Sequence, residues 1–109
     1  MKPPTLGALR DEIVLEQQNR IAASGGGATL TWQPLGPLWA DVRPLSGRET
    51  VIADQIVSHV SHEIWIRHRV GTTPAMRFRL GDRLFDILAV LPAGSRGQWM
   101  RCLCRENAH

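Results

Sequence analysis

The sequence predicts an all-β fold, a small barrel or sandwich of about six or seven strands. One short helix or long loop, at about residues 46–56, and an extended N-terminal arm over residues 1–10 are expected beside it. One observation behind this prediction is the stretch 57–90, in which apolar and polar side chains alternate. Another is the close spacing of glycine and proline turn signals. With 109 residues, the chain is expected to form a single domain, residues 1–109.

The stretch 57–90 is interpreted as three strands joined by two turns. Two of them, within 57–69 and 76–80, have the two-residue period of half-buried strands. Gly81 follows as the first central residue of a hairpin, because glycine supplies the positive φ of a type II′ turn. The third strand, 84–90, is apolar on both faces, which predicts burial on both sides. The expected core residues are Ile13, Leu15, Val60, Ile64, Ile66, Met76, Phe78, Phe85 and Ile87.

Four shorter segments are also expected to be strands: residues 11–17, 30–33, 38–43 and 98–105. Pro34 and Pro37 should separate the second from the third, because proline cannot donate a ladder hydrogen bond. The glycine-rich residues 19–29 are interpreted as a flexible loop. They lack the lysine and following Ser or Thr of a phosphate-binding loop.

Residues 47–55 have two interpretations. Ser46 and Glu49 have the spacing of a capping box, which predicts a short helix. Gly47 and the β-branched residues that follow weaken a helix, and a long mobile loop is the alternative.

Charge is unevenly distributed along the chain. The net charge is +3, with about −1 on residues 1–56 and +4 on residues 57–109, and only Lys2 of the basic residues is a lysine. A basic half is compatible with nucleic acid, but solvated strand faces and subunit contacts are the favoured interpretation. No run of apolar residues is long enough for a membrane span, so no membrane partner is expected.

No catalytic, cofactor-binding or metal-binding residues are expected. Cys102 and Cys104 are two apart on a predicted strand, too distant to pair easily, and are interpreted as reduced thiols. His59 and His62 are three apart and would point to opposite faces of a strand, which disfavours a metal site shared with the cysteines. No serine lies in a nucleophile-elbow motif.

Trp65 lies between Glu63 and Arg67 on the predicted polar face of its strand. An aromatic flanked by charge is typical of an interface anchor. The alternative is that Trp65 packs under the segment 47–55.

Several segments, taken in order, resemble one known family. They are Leu9-Arg10, residues 26–32 (GGATLTW), residues 39–49 (WADVRPLSGRE), Ser61-His62, residues 66–69 (IRHR), residues 73–77 (TPAMR), residues 83–87 (RLFDI) and residues 103–106 (LCRE). With these the chain resembles the head–tail joining proteins (head-closure, or stopper, proteins) of tailed bacteriophages and their counterparts in gene transfer agents. Two positions depart from the family pattern: Glu63, where the family often has a basic residue, and Trp65, where it usually has a smaller polar one.

The resemblance implies a structural connector without enzymatic activity or cofactor. It implies a homo-oligomeric ring, a hexamer or dodecamer, in the neck of a phage or gene transfer agent particle assembled in the bacterial cytoplasm. Adaptor and portal proteins would lie above the ring and tail terminator or tail proteins below. The ring would retain packaged DNA, which passes through the channel without sequence-specific binding. Candidate subunit-interface residues are Trp65, Arg67, Arg69, Arg77 and Arg79.

The resemblance also assigns channel closure in related proteins to the loop after Pro44. Channel-loop candidates are Arg48, Glu49, Val51, Ile52 and Asp54. The alternative is that residues 44–56 are a fixed connecting element at the outer surface of the ring. The rival function is a small nucleic-acid-binding β-barrel, which would require exposed aromatics interleaved with the basic residues.

Overall fold

The computed structural model describes residues 6–22, 25–45, 49–52, 55–58 and 60–107. Eight strands are present in the described residues: β1 (Asp11–Ala22), β2 (Ala28–Pro44), β3 (Glu49–Ile52), β4 (Gln55–Ser58), β5 (His62–Arg67), β6 (Arg77–Leu80), β7 (Arg83–Ala93) and β8 (Trp99–Asn107). One-turn 3-10 helices lie at Leu6–Ala8 and Ser95–Gly97. No described helix has the length and apolar character needed to cross a membrane.

Six of the strands form a closed barrel in the order β1-β2-β5-β8-β7-β6. Every neighbouring pair is antiparallel. Closure removes the unpaired edges that an open sheet of the same strands would expose. The predicted all-β barrel is therefore confirmed. Strands β3 and β4 pair only with each other, in a two-stranded sheet apart from the barrel.

The barrel interior holds the core. Most of the expected core residues form one buried cluster there. Met76 is half-buried and packs against that cluster, while Val60 is buried outside it. The cluster also takes in Met100, Cys102 and Cys104, the inward face of β8. The alternation of the sequence therefore predicts which face of each strand turns inward.

β2 is one continuous strand, so the prediction that Pro34 and Pro37 divide it is wrong. Leu15 pairs with Gly36 and Glu16 pairs with Pro34, which leaves Leu35 as an extra residue in a β-bulge. Proline is tolerated at bulges and at strand edges. Along residues 28–40 the second edge of β2 is not paired with β5, which joins β2 only at residues 41–44. β1 continues to Ala22 and β2 begins at Ala28, so both strands enter the predicted loop, residues 19–29.

A second bulge lies in β7 between Ile87 and Ala89. The extra residue reverses the alternation, because side chains of a strand change face at every residue. Val90 therefore pairs with Cys102 and packs against the core. Strict alternation over the predicted strand 84–90 would place Ala89 on the same face as Phe85 and Ile87, and the bulge moves it to the other face. The predicted turn at Gly81 is confirmed: it joins β6 to β7 with a φ of 61°.

The segment after Pro44 is a hairpin of strands and not a helix. Glu49 pairs with Ser58 and Ile52 with Gln55. The β-branched residues that weaken the helix prediction are favoured in strands, and they decide the outcome. Ser46 and Gly47 lie outside the described residues. In the predicted extended arm, Leu6–Ala8 forms one 3-10 turn, and residues 1–5 lie outside the described residues.

Candidate interaction surface

An apolar groove with a basic rim, here called the Trp39 groove, lies across three separate parts of the chain. Its volume is about 630 Å³. It is lined by Leu9, Leu38, Trp39, Ile66, Arg67, His68 and Arg69. Leu9 precedes β1, two lining residues lie on β2, and the remaining four lie at and beyond the end of β5. The closed barrel brings these segments together.

Trp39 is the exposed aromatic of the groove. Its exposure is 56%, which is high for a large apolar side chain. It pairs with Glu12 across the β1–β2 ladder. Ile66, by contrast, is buried, and Leu9 and Leu38 are half-buried. An exposed tryptophan above an aliphatic floor is typical of a recognition surface.

The basic rim of the groove is held by contacts with other parts of the chain. The Arg69 guanidinium donates to the carbonyl of Leu35 at 3.3 Å. The backbone N–H of His68 donates to the carbonyl of Gln98 at 2.9 Å. The guanidinium of Arg67, an exposed residue, lies 5.7 Å from the centre of the Trp99 ring. Arg67 and Arg69, both interface candidates from the sequence, therefore share this surface.

Arg77 and Arg79 lie on β6, and both pair with the carboxylate of Glu16. The Arg77 Nε lies 2.7 Å from Glu16 Oε1, and the Arg79 Nε lies 3.2 Å from Glu16 Oε2. Glu16 is buried, and the Arg77 guanidinium stacks 4.0 Å from the centre of the Trp32 ring. These two arginines therefore neutralise a buried carboxylate inside the chain, whatever they contact outside it.

Trp65 is 1% exposed, which corrects the expectation that it lies on an exposed outer face. Its indole N–H donates to the carboxylate of Glu63, which is itself fully buried. Arg101 Nε lies 2.7 Å from the other carboxylate oxygen, and Arg43 lies 3.6 Å from the first. The Arg43 guanidinium also lies 5.2 Å from the centre of the Trp65 ring. Within the chain, Trp65 is thus part of a buried ionic cluster.

A further cluster joins β5, β7 and β8. Arg83 forms a two-point ion pair with Glu106 at 2.7 and 3.1 Å. His62 Nδ1 lies 2.9 Å from Ser61 Oγ, and its Nε2 lies 4.0 Å from Glu106 Oε1. The Ser61 hydroxyl accepts from the backbone N–H of Glu106 at 2.7 Å. These are the residue types of a hydrolase triad, but the hydroxyl is held by the strand backbone and the arrangement links strands.

Burial sets the titration of several groups. It lowers the pKa of His62, against the opposing effect of Glu106. Burial also raises the pKa of Cys102 to about 12 and holds that of Cys104 well above its usual value. Both cysteines are free, as predicted from their spacing. Among the described residues, no group of three or more His, Cys, Asp or Glu side chains is placed to hold a metal ion.

Three of the channel-loop candidates lie on the β3–β4 hairpin. Glu49, Val51 and Ile52 belong to β3. Arg48 and Asp54 lie outside the described residues.

Comparison with known proteins decides the family. A family model described as phage head completion protein matches residues 4–107. The chain belongs to the phage head completion protein family. This confirms the resemblance found in the sequence, and the family is one of structural virion proteins, not of enzymes.

Two solved structures resemble this head completion protein over nearly their whole length. One is a chain from the virion of a native gene transfer agent particle, with 33% identity, a TM-score of 0.65, and coverage of 91% of this chain and 96% of that chain. The other is the solution structure of protein SF1141 from Shigella flexneri 2a, with 26% identity, a TM-score of 0.73, and coverage of 96% and 98%. No protein with a curated description matches.

The structure of this head completion protein also identifies residues that the sequence reasoning missed. Trp39 lies at an exposed position next to two candidate arginines. Its two-residue spacing from Asp41 and Arg43 is the sign of an outward position in the sequence, but nothing local places it beside Arg67 and Arg69.

Glu16 follows the inward-facing Leu15, so alternation places it on the outer face of β1, yet it is buried. The sequence contains its two partners, Arg77 and Arg79, on the polar face of a predicted strand. The β1–β6 pairing that brings them to Glu16 spans about half the chain, so their proximity could not be predicted locally.

Proposed function

We propose that this protein forms a closed ring in the neck of a tailed phage or gene transfer agent particle, between the portal and its adaptor above and the tail below. The observation that carries the proposal is the match of nearly the whole chain to a chain of a gene transfer agent virion. In this position the ring would retain packaged DNA and provide a docking surface for tail proteins. Head completion is the family's role; the ring and its neighbours are our proposal.

The subunit contacts in such a ring are head-to-tail, because an interface with two-fold symmetry closes after two copies and encloses no channel. Of the interface candidates, Arg67 and Arg69 are the best placed to contact a neighbouring protein of the neck, because neither holds a carboxylate among the described residues of this chain. Arg77 and Arg79 are less suitable, since they already neutralise Glu16. Trp65 would reach a neighbour only if its buried cluster opened.

The proposal is tested by assembling particles with a variant of this chain in which one exposed arginine is replaced by glutamate. Arg67→Glu should leave the monomer folded, because Arg67 is exposed, and should reduce the yield of complete particles. Arg20→Glu, an exposed position near the far end of β1, is the matched control. Electron microscopy of the neck then shows whether a ring of this chain is present. Normal necks with Arg67→Glu, or a neck in which this chain is absent, would contradict the proposal.

We further propose that the β3–β4 hairpin closes the channel. It forms a sheet separate from the barrel, as a movable element requires. Val51→Cys, introduced into the native chain, tests this by crosslinking between copies, since Cys102 and Cys104 are fully buried and should not compete. Crosslinks that form in filled particles and hinder DNA release support closure. Labelling of the same position by a bulky reagent in intact particles would place the hairpin on the outer surface.

A further inference from the structure

The arginines among the described residues fall into two groups. Most of those on the barrel hold a carboxylate of the same chain: Arg43 with Asp41, Arg77 and Arg79 with Glu16, Arg83 with Glu106, Arg101 with Glu63 and Arg105 with Asp86. Five of the described arginines form no such ion pair with the described residues: Arg10, Arg20, Arg67, Arg69 and Arg96. Of these five, Arg67 and Arg69 line the Trp39 groove.

The groove therefore combines three features in one place. Its lining includes two arginines and His68, and no acidic residue. Its floor is aliphatic. Its wall is Trp39, more than half exposed to water. A partner that covers the tryptophan gains by removing its apolar surface from water, and one with carboxylates gains charge-assisted hydrogen bonds to the arginines.

We propose that the Trp39 groove binds an extended segment of a partner protein that carries aliphatic side chains flanked by carboxylates. An aliphatic side chain would lie on Leu38 and Ile66 beside the Trp39 ring. The carboxylates would meet Arg67 and Arg69 at the rim. Arg67 and Arg69 fix the register of the bound segment and raise its association rate. The apolar contact provides most of the affinity.

The dimensions and charges of the groove select among occupants. A volume of about 630 Å³ accommodates several side chains, in the range of specific ligand sites. The first five residues of the chain carry Lys2 and no carboxylate, so they lack the charge that would complement the basic rim. Single-stranded DNA binds along a row of stacking aromatics, whereas Trp39 is the single aromatic ring among the lining residues other than His68. The aliphatic floor of the groove has no side-chain group that could donate a hydrogen bond to a phosphate.

The test uses nuclear magnetic resonance of the full chain labelled with nitrogen-15. The probes are short synthetic peptides in which two leucines, at several spacings, are flanked by glutamates. One control set has lysine in place of every glutamate, and another has serine in place of every leucine. Chemical-shift changes at the Trp39 indole and at the backbone of residues 66–69 report binding in the groove. The same spectra report whether each variant is folded.

We expect the acidic leucine peptides to shift these resonances and both control sets to leave them unchanged. Arg67→Glu should weaken binding roughly tenfold or more, and Trp39→Ala should abolish it. Arg20→Glu, on the same barrel but outside the groove, should bind as the unmodified chain does. Raising the salt concentration should weaken the interaction, because its rim contacts are exposed ion pairs.

Four results would overturn the proposal. Equal shifts with the lysine peptides would show that charge does not select the occupant. Tighter binding of a single-stranded oligonucleotide at the same residues would assign the groove to nucleic acid. Self-association that Trp39→Ala removes, without peptide binding, would assign it to a second copy of this chain. Absence of shifts with every probe would leave the groove without the proposed partner.

Discussion

The substitution Glu63→Gln tests the buried ionic cluster most directly. Glutamine keeps the size of the side chain and an oxygen that accepts the indole N–H of Trp65, but it removes the negative charge. Glu63 is fully buried, whereas the side chains of Arg101 and Arg43 are 23% and 31% exposed. The substitution therefore leaves two arginines that regain only part of their hydration.

The expected loss of unfolding free energy follows from this geometry. Removing one partner of a fully buried ion pair costs about 3–5 kcal/mol. Here the arginines are partly in contact with water, so we expect about 2–3 kcal/mol for Glu63→Gln. For a domain of this size, that corresponds to a fall in Tm of roughly 8–12 °C.

Urea unfolding, followed by far-ultraviolet circular dichroism, measures the loss, and an unchanged m value shows that the unfolded state is unaffected. Glu12→Gln, an exposed glutamate on β1, is the control and should change stability by less than about 0.5 kcal/mol. Arg101→Gln and the double variant complete a cycle, and a coupling of about 1 kcal/mol or more is expected. A loss below about 1 kcal/mol for Glu63→Gln, with no coupling, would refute the cluster as a source of stability.

Three further substitutions or conditions test the fold. Phe78→Ala should lower the free energy of unfolding by about 3–5 kcal/mol, because the ring is fully buried in the barrel; a loss near zero would mean that the inward face of β6 is assigned wrongly. Gly94→Ala should cost about 1–3 kcal/mol in urea unfolding, since φ is 79° and a Cβ would lie 2.8 Å from the Trp99 ring; Gly27→Ala, with open space and no positive φ, is the control. The unfolding free energy should fall as the pH drops below 6.5, the ordinary pKa of histidine. Burial lowers the pKa of His62 in the folded chain, so the unfolded chain binds more protons than the folded one in this range. His62→Gln should flatten this pH dependence, and an unchanged dependence in that variant would assign it to another group.

Local pattern was sufficient to predict the barrel's inward face. Alternation over β1, β5, β6 and the first half of β7 gives the side of each strand that packs in the core, because the period of a strand is two wherever its pairing is regular. The turn at Gly81 was predictable for the same reason, since its conformation depends on residues adjacent in sequence. Trp39 and Glu16 show the limit: their partners or neighbours lie on strands distant along the chain.

The sequence by itself determined the fold class, most of the core residues and, through the order of its motifs, the family. Tertiary structure decided the rest. The bulges at Leu35 and Leu88 shift the register by one residue, and that shift exists only between paired strands. Trp65 is on the polar side of its strand by pattern, yet it is buried because Glu63, Arg43 and Arg101 neutralise one another around it once β2, β5 and β8 are joined. The Trp39 groove likewise depends on barrel closure, because contacts between residues far apart in sequence are set by strand pairing and not by local preference.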